Sequence, residues 1–158
     1  MDKLTAIKRF AESRTALLKL IQQMIDYNLV NVPVEGEWTI KDMLCHITAW
    51  DQTLLEPMQR LVRGDSFSPQ VIPDHDVFNA QQAGLRRKWS LQAVMDEMES
   101  VRASFLATVQ DLPEAAWIPV YLAPWGDENS LANLIGSLAW HEMEHCHTIQ
   151  QWFEARTE

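Results

Sequence analysis

The chain has 158 residues, 47% of them hydrophobic and 22% charged, with a formal net charge of −9. That length suits one domain with a substantial core, and the composition is that of an ordinary globular protein. Scattered acidic charge argues against non-specific nucleic-acid binding and against attraction to anionic membranes, and no apolar run approaches the roughly 18 residues that span a bilayer.

The N-terminus, Met1-Asp2-Lys3-Leu4, passes straight into an amphipathic pattern without the apolar core of a signal peptide. Cys45 and Cys146 each sit mid-helix beside a histidine, outside any disulfide-framework spacing. The chain therefore reads as cytoplasmic, with both thiols reduced and used as small packing residues.

The first segment, about Lys3 to Asp26, carries Leu4, Ile7, Phe10, Leu17, Leu18, Ile21 and Ile25 at helical spacing. Residues 27–36 break the pattern with Pro33 and Gly36. Thr39 then caps a second helix, with Asp42 three residues later and Trp38 as a staple. Pro57 lies inside its apolar pattern and predicts a kink or an end near Glu56. A loop over 64–73 leads to a shorter helix from about Asp74 to Lys88, and Ser90 caps a third long helix that closes at Leu112-Pro113. Between Trp117 and Asn129 a short extended piece, Val120-Tyr121-Leu122, has no convincing partner strand. Ser130 caps the last long helix, through Leu131, Leu134, Ile135, Leu138, Ile149, Trp152 and Phe153. The expected fold is all-α, four long helices around one core with a short extra helix between the second and third.

His141 and His145 lie on the apolar stripe of the last helix, one turn apart, where two imidazoles can grip one metal ion. His141-Glu142-x-x-His145 matches the zinc-peptidase signature, but Thr148 and Gln151 stand where a metzincin has Gly and His. The third ligand must come from upstream, and His46 on the second helix is the candidate. Three imidazoles leave coordination positions open for water or substrate, as catalytic sites do. Asp42 and Glu142 are candidates for a supporting carboxylate or a general base. The competing reading is a set of buried histidines with ordinary hydrogen-bond partners. His147 points about 200° around the helix from His145, and His75 opens the short helix; both are expected outside the site. Trp50, Trp140 and Trp152 read as core or helix-contact residues, whereas Trp117 and Trp125 can roof a pocket.

Trp38-Thr39-Ile40-Lys41-Asp42-Met43-Leu44-Cys45-His46-Ile47-Thr48-Ala49-Trp50 resembles the W-[ST]-x-K-[DE]-x-L-x-H-[LI]-x-x-W segment of DinB-like (YfiT-like) four-helix-bundle proteins. His141-x-x-x-His145-x-x-x-Ile149-x-x-Trp152 resembles their closing segment, and Asp76-Val77-Phe78-Asn79 followed by Arg86 to Trp89 looks like a ClbS/DfsB-type branch. The resemblance implies an up-down-down-up bundle, often dimeric, with a divalent metal on His46, His141 and His145. It also implies thiol-dependent transfer, hydrolysis or maleylpyruvate isomerisation as the range of activities. The resulting expectation is a Zn or Ni enzyme acting on a small electrophilic molecule, with or without a low-molecular-weight thiol, in a homodimer. A bundle that sequesters a small ligand without turnover is the second reading.

Overall fold

Five α-helices, a short 3-10 turn and a two-stranded hairpin follow one another over residues 1–157, which the computed structural model describes. The helices are α1 (Lys3–Asp26), α2 (Ile40–Val62), α3 (His75–Leu85), α4 (Leu91–Asp111) and α5 (Leu131–Thr157). None is long and apolar enough to cross a membrane.

Polar side chains fix where each helix begins. Asp2, Thr39, Asp74 and Ser90 accept the backbone N–H of Thr5, Asp42, Val77 and Ala93. The Ser130 hydroxyl accepts the Asn133 N–H at 3.3 Å. At α2 the capping box is complete, because the Asp42 carboxylate reaches back to the Thr39 N–H at 3.0 Å. Each such cap contributes about 1 kcal/mol and leaves little freedom in helix register.

Pro57 does not end α2. The helix continues to Val62, and Pro57 is itself buried between Leu54 and Met58. An interior proline costs about 3 kcal/mol, and burying the two large side chains that flank it, each contributing about 1.5–3 kcal/mol, offsets that. The short helix α3 stops at Leu85, before the expected Lys88. The extended piece does find a partner: β1 (Val120–Leu122) pairs antiparallel with β2 (Glu128–Ser130). Glu-Asn-Ser carries no strand signal, so the pairing is imposed by the turn. Gly126 sits at φ 100°, a conformation only glycine adopts readily, and its N–H donates to the Ala123 carbonyl at 3.0 Å.

Helix directions follow from which residues pack together. One apolar cluster holds Phe10 of α1, Leu54 and Met58 of α2, Phe105 and Val109 of α4, and Leu131 to Ala139 of α5. The other holds Leu17 to Met24, Met43 to Ile47, Val94 and Met98, and Ile149 with Phe153. Residue numbers rise from the first cluster to the second in α1 and α5, and fall in α2 and α4. The bundle is therefore up-down-down-up, with α3 in the connection between the two parallel central helices.

Between the clusters lies a charged layer to which each long helix contributes. Arg14 Nε donates to Glu142 Oε1 at 2.6 Å, and Arg102 Nη2 donates to Glu142 Oε2 at 2.9 Å and to Asp51 Oδ2 at 2.8 Å. Ser13 adds its hydroxyl to Glu142 Oε2 at 2.6 Å. Arg102 also lies 3.5 Å over the Phe10 ring and donates to the Phe10 carbonyl at 2.6 Å. Two cations and two anions balance, and Glu142 is 0% exposed. Burial pushes the Asp51 carboxyl upward, opposed by Arg102.

Removing one member strands the others. Glu142→Ala is expected to lower unfolding free energy by about 3–5 kcal/mol, whereas Glu12→Ala at the exposed Lys8–Glu12 pair changes it by less than about 0.5 kcal/mol. Urea titration of both variants checks this; equal effects would contradict the role assigned to the layer.

Candidate metal centre

Glu142 points into the interior, and that sets the rotation of α5. His141 precedes it by one residue and His145 follows by three, which places both about 60–100° around the helix on one side of it. That side faces α2. His46 meets them there: its Nε2 lies 2.7 Å from His141 Nε2, and His145 Nε2 lies 3.0 Å from the same atom. The three ligand atoms all fall within 4.8 Å of one another, and His46 is buried while the other two are partly so. Imidazoles bound at about 2.0–2.1 Å to one tetrahedral ion stand roughly 3.3 Å apart, a spacing these distances bracket.

The His46 tautomer follows from its other nitrogen. Trp50 Nε1, which can only donate, is 2.9 Å from the side-chain oxygen of Asn79. That atom is therefore an acceptor, and His46 Nδ1, also 2.9 Å from it, must be the donor. A proton on Nδ1 leaves the neutral ring with its Nε2 lone pair aimed at the cluster. Burial, then the neighbouring imidazoles, hold His46 down at about 4 and His141 at about 3; burial also lowers His145. All three rings are neutral near pH 7, as metal ligation requires. With the His46 Nε2 lone pair fixed, the three nitrogens can be satisfied either by N–H tautomers of His141 and His145 donating within the cluster or by one cation held between them.

The two carboxylates expected beside the histidines are elsewhere. Glu142 is committed to Ser13, Arg14 and Arg102, and Asp42 to the α2 cap. Neither faces the cluster, so neither stands as its general base; the supporting role at His46 belongs to Asn79. His147 is exposed and apart. The rings of His75 and Trp50 meet edge-on with centroids 5.0 Å apart, outside the cluster. Cys45 and Cys146 are buried and free, and burial pushes their thiols up to about 11 and about 12. They remain protonated packing residues.

A cavity of about 370 Å³ opens beside His46 and His141. Trp50, Trp125 and Trp140 line it with His75, Asn79 and Asp127. Trp125 thus roofs the site, but Trp117 does not; it packs against the core under the Lys3 ammonium, 4.9 Å away. Trp140, expected in a helix contact, is 64% exposed at the cavity rim.

Two functional features escaped the sequence reading. Asn79 lies within the Asp76–Asn79 stretch, where a single amide among polar residues carries no signal of its own. The charged layer did leave one: Arg14, Asp51, Arg102 and Glu142 each occupy a core position on an apolar stripe, as in Phe10, Arg14, Leu17, Ile21 and in Met98, Arg102, Phe105, Val109.

Known proteins bear on this geometry. The fold matches TT2238, described as a four-helix bundle protein, with a TM-score of 0.68 at 22% identity over 95% of this chain and 99% of that one. It also matches YfiT from Bacillus subtilis, described as a probable metal-dependent hydrolase with an unusual four-helix bundle topology. There the TM-score is 0.76 at 15% identity, covering 98% of this chain and 87% of the other. No curated protein matches the chain. Residues 9–149 match the model of the DinB superfamily, and the chain belongs to that superfamily.

Proposed function

We propose that His46, His141 and His145 hold one divalent cation, zinc or nickel by ligand type, and that the protein is a metal-dependent hydrolase of a small electrophilic molecule. The observation that carries this reading is the His46 tautomer: the Asn79 oxygen, pinned by Trp50, forces the free lone pair of His46 toward the two histidines of α5. The description of YfiT as a probable metal-dependent hydrolase supports it by analogy of fold.

A cation so held supplies an acidified water or a polarised carbonyl at neutral pH. The chain's own residues do the rest. Asn79 orients one ligand, the layer under α5 orients the other two, and the three tryptophans wall one side of the cavity from solvent. Hydrolysis is favoured over thiol transfer by the cavity lining, which among the described residues includes no Lys or Arg to receive the carboxylates that common low-molecular-weight thiols carry.

Two outcomes follow. Against a panel of small esters and amides, metal-loaded protein is expected to turn over at least one member without added thiol. A chelator should abolish that turnover, added zinc or nickel should restore it, and His46→Ala should lower it by at least about a hundredfold. Tight binding of the panel with no turnover would replace the hydrolase with the sequestering reading. Asn79→Ala is expected to weaken metal affinity by about 10–100-fold without changing stoichiometry, measured by competition with a chromogenic chelator. Unchanged affinity would remove Asn79 from its supporting role.

A further inference from the structure

The cavity is lined by two chemically different sets of side chains. Trp50 touches both: its ring centroid lies 6.5 Å from that of His46 and 6.4 Å from that of Trp125. The histidine set presents nitrogen ligands. The other set centres on the β1–β2 hairpin, whose turn carries Trp125, Gly126 and Asp127. That turn is anchored, because Ala123 N–H donates to the Asp127 carbonyl at 2.6 Å and Ile72 N–H donates to the Pro124 carbonyl at 2.8 Å. Trp140 closes the rim from α5.

Asp127 is the feature that the rest of the structure leaves unused. Its backbone closes the turn, and its solvent-exposed carboxylate makes no hydrogen bond or ion pair among the described residues. Asp127 is among the residues that line a cavity shared with three indoles, and no Lys or Arg is among them. Indole faces attract cations through the ring quadrupole, and a nearby carboxylate adds a full countercharge. A neutral aromatic ligand would use the indoles and leave the carboxylate idle, and an anion would be repelled by it.

We propose that the Trp50–Trp125–Trp140 part of the cavity, with Asp127 as counter-ion, is a binding site for a cationic ammonium group. Together with the preceding reading, on which the reactive end rests, it defines the substrate class: a small molecule bearing an amine or alkylated ammonium at one end and a hydrolysable carbonyl at the other. Separation of the two ends matters, since a divalent ion on the histidines would repel an ammonium placed beside it.

The test compares three probes of similar shape: choline, its neutral isostere 3,3-dimethylbutan-1-ol, and the anion 3,3-dimethylbutanoate. Binding is followed by NMR titration of wild type, Asp127→Asn, Trp125→Leu and metal-free His141→Ala. Choline is expected to bind wild type at least tenfold more tightly than the alcohol, with the anion weakest. Asp127→Asn should abolish most of that preference without weakening the alcohol, and Trp125→Leu should weaken both choline and the alcohol. His141→Ala, stripped of metal, should keep the preference, so that failure of the metal reading and failure of the ammonium site give different patterns. Equal binding of choline and the alcohol to wild type, or an undiminished preference in Asp127→Asn, would overturn the proposal.

Discussion

The structure depends on a layer of buried charge. Arg14, Asp51, Arg102 and Glu142 meet where four helices cross, and no one of them can be withdrawn without leaving another charge unpaired. Such a layer adds little net stability over an apolar one of the same volume, because desolvating four charges costs as much as their attraction returns. What it supplies is register. An apolar stripe tolerates a helix rotated by some tens of degrees, whereas a carboxylate held by two guanidiniums and a hydroxyl does not. With Glu142 so held, His141 and His145 are turned toward α2, and His46 is met at hydrogen-bonding distance.

Regular and irregular segments divide the work. Two of the long helices, α2 and α5, bring the nitrogen ligands together and supply Trp50 and Trp140, and the two connections that break the bundle pattern complete the cavity. The connection between α2 and α4 contributes Asn79 and His75 through α3, none of whose residues is fully buried. The connection from α4 to α5 contributes Trp125 and Asp127 through a hairpin only three residues to a strand. Chemistry held on rigid helices and recognition carried on loops is the usual partition, since loops change their side chains at low cost to the core.

Much of this was legible in the chain. The caps at Thr39, Asp74, Ser90 and Ser130, the all-α class and the shared face of His141 and His145 follow from spacing, because a helix converts sequence interval directly into direction, whereas His46 as their partner rests on the family resemblance. The hairpin was not, since Glu128-Asn129-Ser130 has no strand propensity and pairs only because Gly126 closes the turn. Continuation of α2 through Pro57 depends on tertiary burial that a local rule does not see. Asp42 and Glu142 lie next to ligands in sequence but turn to other partners, the α2 cap and the charged layer, because neighbours on a helix point in different directions. Glu142 lies on the stripe that faces the core, and the arginines that hold it stand more than 30 positions away in the chain.

The central claim is that the three histidines form one metal site. It is tested most directly by titrating chelator-stripped protein with cobalt(II) and following the visible ligand-field absorption. One equivalent per chain, with an absorption that reports low coordination and disappears in His141→Ala, is the predicted result. No uptake, or uptake indifferent to His141, would contradict it and leave a buried histidine cluster joined by N–H···N hydrogen bonds.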